Sequence, residues 1–412
     1  MDSNQRKRAL RALRGLGRRA EVAVLARAAK ARGIAAWIVG GALRDRLLGL
    51  ATAEVDVAVS GDAEALAAVL ERAGLGRAVF LSRDRPGPRV FRIAGKRPLD
   101  VAELEGGSIE ADLRRRDFTV NALALDLGSG AILDPFGGLE DLRHGRLRLV
   151  RSENLADDPL RILRAARFFA ALGLVPDAAV LAASRRAAGL FVSAAPERVA
   201  AELSRLLGSA RAEPALSWTA KADILPAVLG RAISRPRAAR LARSLAVLDD
   251  AGTRRMPPEQ RRRLRLGLLA VGLGLSPSEA REWLQERRWA REEARDAALL
   301  CGLVASARRV RSRREAWSWV LEAGVLAQDA VTLLARLGPQ ERRRARSLRA
   351  LTRAPRRTVT VDGADLQRWL GLDAGPRIGE LLRAVRLAAA MGEVSNRRQA
   401  RDWLTGQVRP GL

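Results

Sequence analysis

Between Ile34 and about Val150 the apolar residues come in short β-branched runs, at 37–39, 55–59, 78–81, 89–94, 98–102, 120–127 and 131–133. Runs this short, bounded by Gly, Pro, Asn and Asp, predict strands. Apolar spacing of three and four interrupts them at 42–49 and 62–73 and predicts helices there. This stretch therefore reads as a mixed α/β sheet with interleaved helices. Residues 1–33 read as one basic helix. After about Asp157 the three-and-four spacing continues almost to the end, and only Thr358–Val361 has a strand-like pattern. Pro159, Pro176, Pro196, Pro214, Pro226, Pro236, Pro257–Pro258 and Pro277 mark helix starts or breaks in that half. A last block, Gly363 to Leu404, has its own apolar pattern and glycine turns. An α/β portion followed by an all-α remainder is the expected architecture.

Composition narrows what such a chain can do. The 412 residues suffice for two to four cored domains. No stretch approaches the roughly 20 apolar residues a membrane span needs. The N-terminus lacks the apolar core of a secretory signal, so a cytoplasmic protein with no membrane partner is expected. One cysteine, Cys301, excludes an intrachain disulfide framework and sits in an apolar run as a small core residue, so no disulfide-linked partner is expected. One histidine, His144 in a polar turn, excludes zinc-protease or His/Asp phosphohydrolase chemistry. Net charge is +28, with 74 basic residues of which only Lys7, Lys30, Lys96 and Lys221 are lysines. Arginine at this density suits bidentate phosphate contacts and makes nucleic acid the expected partner. Arg6, Lys7, Arg8, Arg11, Arg14, Arg18 and Arg19 stud the first helix. Arginine runs at 261–263, 308–314 and 342–346 recur along the helical half, each of which alone also reads as a solvated helix face.

The chemistry concentrates in Trp37 to Asp56. A buried strand, Trp37–Val39, leads into Gly40–Gly41, whose turn into a helix leaves backbone N–H groups converging where a phosphate can sit. Glu54 and Asp56 are two apart at the next strand, so their carboxylates share a face. Two carboxylates beside a phosphate cradle are how proteins hold Mg²⁺ for in-line attack on a nucleotide phosphate. Further on come Arg116-Asp117-Phe118-Thr119-Val120-Asn121, then Asp134-Pro135-Phe136-Gly137-Gly138, then Asp157-Asp158-Pro159-Leu160-Arg161 running to Arg164, Arg167 and Phe168. Asp158 and Arg161, three apart on a helix, would share a face. A carboxylate accepts from an exocyclic amine and a guanidinium donates to a ring nitrogen or carbonyl, so the pair could read both C and A. The same spacing equally describes a surface ion pair worth about 0.3 kcal/mol.

In this order and spacing the motifs resemble those of the class II tRNA nucleotidyltransferase and poly(A) polymerase family, the CCA-adding enzymes: GGxxRD with an acid pair, RRDFTxNA, DPxGGxxDL and (E/D)DPxRxxRAxRF. The C-terminal block resembles the tail of bacterial members. The resemblance implies a basic N-terminal helix over 1–33, a nucleotidyltransferase head over 34–150, a nucleotide-recognising neck over 151–205, a helical body over 206–345 and a tRNA-binding tail over 346–412. It implies that Gly40, Gly41, Arg44 and Asp45 lie near the triphosphate, that Glu54 and Asp56 bind metal, and that Asp100 is a third catalytic carboxylate. Arg116, Asp117 and Asn121 would meet ribose and phosphates. Asp158 and Arg161 would read the base, with Arg164 and Arg167 on the same nucleotide-binding helix. Two Mg²⁺ ions, replaceable by Mn²⁺, tRNA, and CTP and ATP as substrates are implied with it.

Two features depart from the family pattern. The first acid is ordinarily Asp, and the extra methylene of Glu54 moves its carboxylate by about 1.5 Å, a large displacement for a positioned metal. The connection from Asp100 to Arg116 is short, as in members that add only C, so CCA and CC addition both stay open. A bacterial poly(A) polymerase and a catalytically weak or inactive RNA-binding protein are the other readings of the same scaffold.

Overall fold

The structure, a computed structural model, describes residues 11–13, 15–52, 54–81, 87–354 and 358–407. Arg6, Lys7, Arg8 and Arg14 of the basic helix lie outside them. The chain divides into two compact units, one of residues 1–206 with 213–239 and one of 207–212 with 240–412.

The first unit is built on a seven-stranded sheet. Its strands are β1 (Ala36–Val39), β2 (Val55–Val59), β3 (Arg77–Phe80), β4 (Val90–Ala94), β5 (Leu99–Glu103), β6 (Ala124–Asp126) and β7 (Ile132–Leu133), in the order β3-β4-β5-β2-β1-β6-β7. Only β2 and β5 are parallel; the other neighbours are antiparallel. α1 (Ala20–Ala31) precedes them, and α2 (Gly41–Leu47), α3 (Ala63–Arg72) and α4 (Ile109–Arg114) run between them. Asp62 and Ser108 start α3 and α4 by accepting the N–H groups of Ala65 and Ala111, each satisfying a donor the helix cannot.

Alternation along the strands sorts side chains to two faces. Ile38, Val55, Val57, Val59, Leu99, Val101 and Leu125 join Val22, Leu25, Leu66 and Leu70 of α1 and α3 in the larger core. On the opposite face Val39, Ala58 and Ala124 meet Ile109 and Leu113 of α4 in a smaller one. Asp56 has the parity of Ala58 and belongs to the thinly covered face. That uneven cover leaves room for a site.

The expected strand 120–127 is shorter than its sequence suggests. Thr119–Asn121 forms a single 3-10 turn, and only Ala124–Asp126 pairs with β1. The Thr119 hydroxyl donates to Asp141 and the Asn121 amide to Asp117, so local polar bonds hold this apolar-looking stretch out of the sheet.

Downstream, α5 (Gly138–His144), α6 (Asn154–Asp157), α7 (Leu160–Leu172), α8 (Ala178–Ala187) and α9 (Pro196–Gly208) follow, with a two-stranded parallel ribbon of β8 (Arg146–Leu147) and β9 (Val175–Pro176). Pro176 thus closes a strand that the sequence reading missed, while Pro196 opens a helix as expected. His144 ends α5 as an exposed residue bonded to the Glu140 carbonyl. The second unit is helical, with Pro258 and Pro277 as first helical residues, where the missing N–H costs nothing. Its Arg265 is fully buried and donates to the carbonyls of Leu207, Ser209 and Leu248 and to the Asp249 carboxylate. Cys301 is buried, donates to the Leu275 carbonyl, and its thiol is pushed up by burial. The tail packs Leu366, Val385, Ala400 and Leu404 together. Thr358–Val361 is not a strand; it has no partner strand in the sheets. No described helix is long and apolar enough to cross a membrane.

Candidate active site

The site begins where β1 leaves the sheet. Val39 is the register partner of Asp56, so the turn that follows lies beside that carboxylate. Gly40 has φ +74, and a Cβ there would stand 2.6 Å from Arg116 Nη1 and 3.6 Å from Asp56 Oδ2. Backbone angle and close approach both require glycine. Gly40 therefore leaves room for an arginine from the segment after α4 to sit beside the β2 carboxylate. The Arg116 guanidinium is itself steadied by Asp112, one helical turn earlier, at 2.9 Å.

Across the sheet, β2–β5 register sets Asp56 opposite Asp100, and β5–β4 register sets Asp100 opposite Arg92. Partners in register share a face, so these three form a row. Arg92 Nε and Nη2 each donate to one oxygen of Asp100 at 2.8 Å, and Nη2 also reaches Glu54 Oε2 at 3.3 Å. Glu54 precedes β2 and its side chain is about half exposed. Asp56 makes no side-chain hydrogen bond among the described residues. Asp56 is an exposed residue, and its carboxylate lies close to the Gly40 turn and to Arg116. Removal of water by that surround pushes its pKa above the ordinary 3.8; Arg116 opposes this, while Asp100 and Glu54 add to it.

Glu54 and Asp56 offer oxygen ligands only, and among the described residues no hydrogen bond occupies the Asp56 carboxylate. Such a donor set fits a hard divalent cation. No group of three or more acids, histidines or cysteines that could hold a metal ion occurs among the described residues. Asp100, the expected third carboxylate, is adjacent but held by Arg92.

A second cluster joins the head to α7. Asp117 is buried. Its Oδ1 accepts from the Phe118 N–H and the Asn121 amide, both at 2.8 Å, and its Oδ2 from Arg164 at 2.9 Å. Burial alone would raise its pKa, but Arg164, Asn121, the Phe118 N–H and Arg161 together hold it below 3.8. Asn121 Oδ1 accepts from Arg44 at 2.6 Å, and Arg44 also donates to Asp45. Arg44, Arg164 and Arg167 surround the ring of Phe168 at 4.7, 5.7 and 4.4 Å from its centroid, a cation–π arrangement. Arg167 is paired with Glu202 of α9 at 2.6 Å, and Gly41 underlies the Arg44 guanidinium.

Asp158 and Arg161 are arranged differently from the expectation. Asp158 precedes α7 in extended backbone, so helical-face spacing does not relate the two. They do not form the surface ion pair either. Asp158 accepts from the Leu160 N–H and from Arg198 of α9 at 2.7 Å, while Arg161 donates to the Asn154 carbonyl at 2.8 Å. Asn154 in turn donates to the carbonyls of Arg114 and Arg116, tying this corner to the segment that carries Arg116. Arg92, Asp112, Asn154, Phe168 and Arg198 had no separate role in the sequence reading. Phe168 stood in a quoted motif, but strand register alone exposes Arg92, and helix packing alone exposes Arg198.

Residues 36–148 match the family described as the Poly A polymerase head domain. Over nearly its full length the chain is similar to the CC-adding tRNA nucleotidyltransferase of Geobacter sulfurreducens, at 32% identity over 420 residues that cover 92% of this chain and 94% of that one. It is similarly related to the CCA-adding enzyme of Geobacillus stearothermophilus, at 31% identity, covering 90% of this chain and 92% of that protein. A solved structure, the Bacillus stearothermophilus CCA-adding enzyme in complex with CTP, superposes with a TM-score of 0.71 at 28% identity, covering 94% of this chain and 98% of that one. Ordered motifs, a mixed seven-stranded head and likeness along the whole chain agree: the chain belongs to the tRNA nucleotidyltransferase family, among whose members are CC-adding and CCA-adding enzymes.

Proposed function

We propose that the protein adds C, A or both, from CTP and ATP, to the 3′ end of tRNA without a template. The observation that carries this is the convergence of Gly40, Asp56 and Arg116, with Glu54 and Asp100 beside them, one register step from the glycine turn. In the reaction a tRNA 3′-hydroxyl attacks the nucleotide α-phosphate, and the bond to pyrophosphate breaks. Glu54 and Asp56 would hold a divalent cation, Mg²⁺ or Mn²⁺, which when bound supplies Lewis-acid stabilisation of phosphoryl charge. Arg116 adds a fixed positive charge beside Asp56, suited to a phosphate oxygen.

Asp117 is saturated by Asn121, Arg164 and a backbone N–H, so its role is to hold the 116–121 segment against α7. Arg44 and Asp45 belong to the same joint. The Arg161 donors that are unshared among the described residues and the carboxylate of Asp158 are the groups suited to a base edge, with Arg198 as the present partner of Asp158. The basic surface suits RNA backbone contact, reading shape rather than sequence.

Incubation with tRNA ending before the first C, after C and after CC, each with labelled CTP or ATP, tests the proposal. Incorporation that stops after one to three residues supports it and identifies the product. Long A tracts on generic RNA would favour the poly(A) polymerase reading. Salt-sensitive tRNA binding with no incorporation in Mg²⁺ or Mn²⁺ would overturn the enzyme reading.

A further inference from the structure

Arg92 lies at the β4 end of the acid row and has no part in the chemistry of nucleotide addition given above. β4, β5 and β2 bring Arg92, Asp100 and Asp56 into one row. Both oxygens of Asp100 accept from Arg92 at 2.8 Å, in the fork-on-fork geometry that gives guanidinium–carboxylate pairs their strength. The same Nη2 reaches Glu54 at 3.3 Å. Asp56, the remaining member, receives no such bond. The three acids are thus unequal: one is closed by a guanidinium, one is shared with it, and one is open.

We propose that Arg92 is a positioning residue that acts as a built-in cation, withdrawing Asp100 from the metal-holding set and drawing Glu54 toward β4. The divalent ion is then held by Asp56 and Glu54 alone, more weakly than three carboxylates would hold it. This rests on the reading of Glu54 and Asp56 as metal holders. It also gives Glu54 a reason for its length: the longer side chain reaches Arg92 from a position just before β2.

Mn²⁺ binding to the full chain, followed by the electron paramagnetic resonance signal of the free ion, tests this without any turnover. R92Q should release Asp100, tighten Mn²⁺ binding about tenfold and admit a further ion. R92Q/D100N removes both partners of the pair with no change in net charge, and should bind Mn²⁺ within about twofold of the wild type. Unchanged or weaker binding by R92Q would overturn the role of Arg92. So would a loss of about tenfold or more in the double variant, since Asp100 would then be a ligand despite Arg92. If R92Q fails to fold, the charge-neutral double variant carries the test by itself. D56N separates the underlying reading: binding equal to wild type there would remove Asp56 as a metal holder and the proposal with it, whereas lost binding leaves the outcome to Arg92 and Asp100.

Discussion

At Asp117 an arginine and a carboxylate meet inside the protein, and both oxygens of the acid are taken by an arginine, an asparagine and a backbone N–H. At Asp100 the same two groups meet on a half-open sheet face, beside Glu54 and an Asp56 whose side chain accepts no hydrogen bond among the described residues. The chemistry of the pairs is alike and their surroundings are not. Stripping Asp117 of its partners would leave a buried carboxylate without water to replace them, so the Asp117 cluster behaves as a fixed joint. In the open cluster Arg92 keeps Asp100, while the exposed carboxylates of Glu54 and Asp56 stay within reach of water and of a dissolved cation. A nucleotidyl-transfer site needs both kinds: a rigid frame, and carboxylates that a soluble ion can reach.

The comparison breaks most readily at Asp56. D56N should lower nucleotide incorporation about 10³-fold or more while leaving the melting temperature unchanged or higher, because the ionised carboxylate is desolvated and faces two other acids. A matching loss of fold stability would show that Asp56 is part of the frame instead. D117A should do the reverse in kind, costing about 2–3 kcal/mol in denaturant unfolding by leaving the buried Asn121 amide and Phe118 N–H without their acceptor. Its pH dependence follows from the direction of the shift. Because the folded-state pKa of Asp117 lies below 3.8, its stabilisation is fully present above that pH and is lost as pH falls through the folded value. The stability gap between wild type and D117N should therefore be widest above pH 3.8 and close below it.

G40A sits between the two clusters. A methyl group at φ +74 would stand 2.6 Å from Arg116; it should cost about 1–3 kcal/mol and reduce incorporation by displacing that guanidinium. Incorporation unchanged by G40A would detach Arg116 from the chemistry. The smallest expected effect on stability is at Glu54. Exposed, and bonded among the described residues only to Arg92, it should tolerate E54D within about 0.5 kcal/mol, while the incorporation rate with CTP shows whether the shorter acid raises turnover.

Much of the head was legible in the sequence because strands announce themselves by short β-branched runs. β2, covered on both faces except at Asp56, was read with its observed bounds, 55–59. The stretch 120–127 misled because Val120 and Leu123 are buried by a polar-bonded turn rather than by a strand, and burial looks the same in both cases. β9 escaped because two residues carry no period.

What the chain by itself determined was the inventory and its order: a glycine turn, an acid pair, RRDFTxNA, and a helix bearing Arg161, Arg164 and Arg167. One histidine and one cysteine excluded whole classes of chemistry before any fold was known. The tertiary structure alone decided who faces whom. Register between β4, β5 and β2 put Arg92 onto Asp100, and packing of α9 put Arg198 onto Asp158 where helical spacing had suggested Arg161. The reason is one of range. Spacing along a helix or strand fixes neighbours within a few residues, but a guanidinium pairs with whichever carboxylate the fold brings within 3 Å. For Arg198 that partner lies 40 residues away.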